Sequence, residues 1–146
     1  MSSDTNKALV LASIEEAWNT GHLAIFDLLF DPDLVDHSVR SSLPATREGT
    51  KQLVTRYRSA FPDLHLTIED QIAKGDKVVT RWTTRGTHSG KLMGIAPTGN
   101  PVIVTGIRVD RIVGGRIVET WAEIDQLGML QQLGVVSGPG AGASNG

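Results

Sequence analysis

Apolar residues recur at spacings of three and four along the first third of the chain. From about Thr5 to Thr20, Ala8, Leu11, Ile14 and Trp18 fall on one side of an α-helix. Gly21 stands where a helix commonly ends in a left-handed turn. His22 to Phe30 is a second, shorter amphipathic segment, with Leu23, Phe26 and Leu29 or Phe30 on its apolar side. Asp31-Pro32-Asp33 then breaks the pattern into a loop that carries Asp36-His37-Ser38 and runs to Pro44. Thr46 has the chemistry of an N-cap, with Glu48 near the positive end of the helix it starts. Leu53, Val54, Tyr57, Ala60 and Phe61 mark the buried stripe of this third helix, and Pro62 closes it. Residues 1–4 are expected to be loose.

After Pro62 the period falls to two. Leu64, Leu66, Ile68 and then Ile72 predict a strand, and Gly75-Asp76 a hairpin turn. Lys77 to His88, rich in Val, Thr and Trp, is the next strand. GKLMGIAPTGN is a loop punctuated by Gly90, Gly94, Pro97 and Gly99. Val102 to Val113 and Arg116 to Ile124 are two further strands about a tight Gly114-Gly115 turn, and Gln126 to Leu133 is a closing helix. Ser137 to Gly146 has almost no core-forming residues and is expected to be a disordered tail. Three helices followed by hairpin-linked strands predict an α+β fold. A curved, mainly antiparallel sheet would wrap around the N-terminal helices as a cone-shaped barrel, with a ligand inside it. The expected division is one domain over 1–136 and a tail over 137–146.

Composition narrows the function. A chain of 146 residues suits a single core. Its formal charge of -2 argues against nucleic-acid and anionic-membrane partners. There are no cysteines, so disulfides, thiolate metal sites and Cys nucleophiles are all excluded. The N-terminus lacks the pattern of a signal peptide, and no apolar run has the length of a membrane span. A soluble cytoplasmic protein is the expectation.

Strand alternation places Trp121, Glu123 and Asp125 on one face, opposite Val118, Thr120, Ala122 and Ile124. Asp125 therefore has two readings, which do not exclude one another. It caps the last helix, or it is a carboxylate whose pKa an apolar cavity raises until it carries protons near neutral pH. His88, at the end of the second strand, shares a face with Trp82, Thr84 and Gly86. It is a proton donor or oxyanion stabiliser in the same cavity, or a strand-end histidine bonded to a turn. His37 stands in a loop that would cover the cavity mouth. Asp76, Asp110 and Arg111 read as turn or solvated strand positions. No HExxH, His-x-His or paired-acid spacing points to a metal, and no Gly-rich loop has the context of a phosphate cradle.

DLVDHS, FPDLHLTIED, KVVTRWTTRGTHSG, GIAPTGN and GGRIVETWAEIDQLGMLQQLG occur in that order. Together they resemble the SnoaL-like polyketide cyclases of the nuclear transport factor 2-like superfamily, over about Ala8 to Gly134. The resemblance implies an α+β cone with a deep pocket, commonly in a homodimer or higher oligomer joined through the sheet. It implies an aldol-type ring closure of a polyketide or related polycarbonyl compound, with no metal, nucleotide or flavin. Asp125 would be the acid/base residue, with His88 and His37 as pocket histidines. Trp82, Ile107, Val109 and Trp121 would line the walls, with Arg108 or Arg111 as a polar contact. Two alternatives stand beside this enzyme: a hydroxylation partner in polyketide tailoring, and a non-catalytic small-molecule binding or dimerisation module.

Overall fold

A computed structural model of the chain describes residues 2–38 and 43–136. Helix α1 (Ser3–Thr20) begins earlier than its apolar stripe. Ser2 caps it, its Oγ accepting the Thr5 N–H at 3.1 Å, so residues expected to be loose form the first turn. Gly21, at φ 76°, ends it in the left-handed region. Helix α2 (Ala24–Leu29) follows, and α3 (Arg47–Ala60) starts at Thr46, whose Oγ1 accepts the Gly49 N–H at 3.3 Å.

The strands are β1 (Phe30–Asp36), β2 (His65–Lys74), β3 (Lys77–Thr87), β4 (Pro101–Val113) and β5 (Arg116–Ile124), and helix α4 (Gln126–Gln132) closes the described chain. Strand β1 corrects the sequence reading, which made this segment a loop. Asp31-Pro32-Asp33 looks like a breaker, but β1 lies at the sheet's edge, where a residue without an N–H is tolerated. The expected disorder of 137–146 lies outside the described residues.

The strands form one sheet in the order β1-β5-β4-β3-β2. All neighbours are antiparallel except β1 and β5, which run parallel. Two tight turns fix the hairpin registers, pairing Lys74 with Lys77 and Val113 with Arg116. Helices α1, α3 and α4 pack on one side of the sheet. This helix side receives Val78, Thr80, Trp82 and Thr84 of β3. It also receives Val102, Val104, Gly106, Arg108, Asp110 and Ile112 of β4, with Ile117, Thr120, Ala122 and Ile124 of β5. The opposite, open side carries Ile103, Thr105, Ile107, Val109 and Arg111.

Two apolar clusters fill the space between helices and sheet. One joins Val10, Ile14 and Ala17 of α1 to Phe26, Phe30, Leu66, Val78, Ile112 and Ile117. The other gathers Ala60, Phe61, Leu92, Val102 and Val104 with Met129 and Leu133. Two amide side chains finish the sheet where strands lack a neighbour. Asn19 donates to the Leu66 carbonyl at 2.9 Å and accepts the Leu66 N–H at 2.7 Å. Gln132 does the same for Ile103, at 2.8 and 2.7 Å, beyond the end of β5. Among the described residues, no helix is long and apolar enough to cross a membrane.

Candidate functional site

The helix side of the sheet carries a polar row across three neighbouring strands. Asp36 of β1 pairs with Thr120 of β5, and Thr120 pairs with Asp110 of β4. All three are buried, Asp36 to 3% exposure and Asp110 to 0%. One step along β4, Arg108 stands between Thr80 and Ala122. Its guanidinium forms a fork with Asp110, donating from Nε to Oδ2 at 2.9 Å and from Nη2 to Oδ1 at 2.6 Å. Burial works against the charge of Arg108. The attraction and hydrogen bonds of Asp110, with a further pull from Asp36, outweigh it and hold the guanidinium above its ordinary pKa. Asp36 is fixed by its own turn: Oδ1 accepts the Ser38 N–H at 2.8 Å, and the next residue, His37, donates its N–H to the Thr120 carbonyl at 2.8 Å.

Coverage thins along β5 on this side. Thr120 is buried, Ala122 is half-buried and Ile124 is exposed. Arg108 keeps 12% of its side chain exposed. The uncovered stretch is thus bounded by Arg108, Ala122, Ile124 and the partly buried Trp82, whose indole lies over Gly106. Neither of two shallow clefts elsewhere touches these residues. One, of about 330 Å³, is lined by Gly21, Leu23, Val54, Arg58 and Pro62. The other, of about 430 Å³, runs along β2 beside Leu11 and Glu15.

The residues expected to act together do not meet here. Trp121 and Glu123 share a face, but it is not the face that the helices cover: Trp121 pairs with Val109 and Glu123 with Ile107, on the open side, and Asp125 lies one residue beyond the end of β5. Asp125 is exposed. Its Oδ1 accepts the Gly128 N–H at 2.9 Å and so caps α4. A side chain at 128 would come within 2.2 Å of Asp125 Oδ2, so the cap needs glycine there. Among the described residues, no apolar enclosure surrounds Asp125.

His37 is also on the open side. Its ring stacks on Trp121 at 4.8 Å, and Nε2 meets Glu119 Oε2 at 2.7 Å. Arg111 Nε donates to the other Glu119 oxygen at 2.6 Å. The bonds from His37 and Arg111 hold the Glu119 carboxyl below the usual glutamate range. Ile107, Val109 and Trp121 therefore stand away from Trp82, the only one of the four expected wall residues on the helix side; of the two arginines weighed as a polar contact, Arg108 is on that side and Arg111 is not.

His88 is fully buried, against Phe61 in the second apolar cluster. The Thr98 N–H donates to its Nδ1 at 3.2 Å, which leaves the ring proton on Nε2. Nε2 has no hydrogen-bond partner among the described residues, so it is a buried donor left unpaired there. No group of three or more His, Cys, Asp or Glu among the described residues is placed to hold a metal ion.

Sequence reasoning left Asp36 in a loop, read Asp110 as a turn or solvated strand position and named Arg108 only as an alternative to Arg111, because the aliphatic residues of 102–113 fall on both faces of the strand. The usable signal was Gly106, a glycine inside a strand pattern, which marks a close approach by another group.

A family model described as SnoaL-like polyketide cyclase matches residues 8–133. Among curated proteins, no sequence matches the chain. Several solved structures are similar. IdmH from Streptomyces antibioticus, named as a putative polyketide cyclase, is 37% identical with a TM-score of 0.76, over 89% of this chain and 99% of its own. AclR from Streptomyces galilaeus, named as a putative hydroxylase, is 32% identical with a TM-score of 0.83, over 94% of this chain and 85% of its own. TsrD from Streptomyces laurentii is 28% identical with a TM-score of 0.84, over 93% and 99%.

Proposed function

The chain belongs to the SnoaL-like polyketide cyclase family, and from that premise we propose that it is a cofactor-independent acid/base enzyme acting on a polyketide-type polycarbonyl molecule, with Asp36 and Arg108 at its polar centre. The observation that carries this reading is the buried Asp36–Thr120–Asp110 row, with Arg108 forked onto Asp110 beside an uncovered stretch of sheet. Taking charges out of water costs several kcal/mol per ion, and an apolar row of similar volume often serves a core as well. A row of this kind is better accounted for by chemistry than by stability.

In this mechanism Asp36 removes a proton from a carbon flanked by two carbonyls, where the proton is already acidic. Arg108, oriented by Asp110, donates to the enolate oxygen as charge develops there. The enolate carbon then attacks a second carbonyl of the same molecule. The new carbon–carbon bond leaves an alkoxide, and that oxygen takes the proton held by Asp36. Trp82 supplies an apolar wall, and holding the chain folded brings the reacting carbons together. Asp125, exposed and engaged as a cap, gives less support to a base at that position.

The test is turnover of a panel of polyketide esters, followed by mass analysis, with Asp36→Asn and Asp125→Asn compared. Loss of turnover in Asp36→Asn and its retention in Asp125→Asn is expected. The reverse outcome would return the base to Asp125 and sink the row. The likeness to AclR favours a second reading, a hydroxylation partner. Gain of one oxygen atom by the product, only when a reducing system is supplied, would establish that reading instead. The proposal also includes a homodimer through the open side of the sheet. Ile103 and Ile107, 53% and 48% exposed there, support it.

A further inference from the structure

At every other helix-side position of β4 a side chain stands up from the strand. Gly106 leaves a gap, and the indole of Trp82, from the facing position on β3, lies in it. A Cβ at 106 would come within 2.1 Å of Cζ2 and 2.6 Å of Cε2 and Cη2. The six-membered ring of the indole therefore rests on the backbone of β4. Gly106 is not among the glycines with positive φ, so its backbone conformation does not call for glycine. Glycine inside a strand weakens it, and the seated indole is the feature that accounts for this one.

The placement bears on the site. The Trp82–Gly106 pair is the row next to Arg108 and ends at Ile124, where the helix side is uncovered. Two residues along a strand is about 7 Å. A ligand ring stacked on the indole would lie about one such step from the row that carries Arg108. Offset stacking on a flat aromatic face favours a planar ligand. A hydrated aliphatic chain gains little from it.

We propose that Trp82, seated on Gly106, is the specificity-determining floor of the site, and that it limits how many fused rings fit between the indole and Arg108. This rests on the reading that substrate enters beside Arg108. The indole occupies the depth that a side chain of ordinary size would leave open. Narrow, two-ring ligands fit above it, and four-ring ligands strike it.

The experiment uses hydroxylated naphthoquinone, anthraquinone and tetracenequinone probes, of two, three and four rings, with binding measured by calorimetry. The whole chain and its Trp82→Ala, Trp82→Phe and Gly106→Ala variants are compared, with circular dichroism confirming the fold of each. The native protein is expected to bind the two-ring probe at least tenfold more tightly than the four-ring probe. Trp82→Ala should reverse that order, and Trp82→Phe should fall between. Gly106→Ala, which lifts the indole into the opening, should weaken the two-ring probe about tenfold. Folded variants that keep the native order of ring number would overturn the floor and leave the proposed function standing. Failure of all three probes to bind the native protein would overturn the floor and the site together.

Discussion

Arg108 has five N–H donors, and the fork to Asp110 uses two of them. Three remain for other partners, and Asp36 is near enough to add its pull on the charge. Asp110→Asn removes the carboxylate that balances a buried guanidinium, which typically costs about 3–5 kcal/mol. Urea unfolding at neutral pH is expected to show that loss, and a value near zero would mean that the pair is solvated. Glu119 titrates differently. Its folded pKa lies below its ordinary value of 4.5, because of the bonds from His37 and Arg111. The stability it contributes is therefore present above about pH 4.5 and is lost as pH falls through the lower, folded value. Glu119→Gln should flatten that acid limb, and unfolding midpoints measured from pH 3 to 7 would reveal it. Asp125 shows what was legible at this scale and what was not. Alternation correctly grouped Trp121 with Glu123, and the cap chemistry of Asp125 could be read from Gly128 three residues on. Which face the helices would cover could not be read, because Ile103, Ile107 and Val109 make the wrong face of β4 as aliphatic as the right one.

Among the elements, those with strong punctuation were the easiest to foresee. Helix α3 is marked by Thr46 at one end and Pro62 just past the other, and Thr46 does cap it. Thr46→Ala should lower stability by about 1 kcal/mol, seen as a shift in thermal midpoint without loss of helix content in the remainder. Both hairpins of the sheet were visible in Gly75-Asp76 and Gly114-Gly115, because a two-residue connection leaves little choice of register. Strand β1 was hidden. Its alternation, with Phe30, Leu34 and Asp36 buried, is interrupted by the irregular register before Val35, and it holds a proline. Its partner β5 lies far along the chain, so no local turn announced the pairing. That strand carries Asp36, so missing it meant missing one of the residues on which the proposed chemistry depends.

For the whole molecule, the architecture was more legible than the chemistry. Sequence order alone implied helices on one side of an antiparallel sheet, and the family model spans nearly the same residues as the resemblance. The proposed site depends on pairings between distant strands, which composition and periodicity do not encode. Association belongs to this scale as well. If copies pair through the open side, Ile107→Lys should shift the protein from dimer to monomer in sedimentation velocity, with the circular dichroism spectrum unchanged. A monomeric native protein would remove that part of the proposal. The two amide clamps, Asn19 on Leu66 and Gln132 on Ile103, bear on a different kind of association. Each holds the main-chain donor and acceptor that a passing extended peptide would otherwise seize. An unguarded border of this sort is a template for runaway polymer growth. Here two carboxamides, borrowed from neighbouring helices, stand in for missing strands and deny the first rung of a fibre its footing.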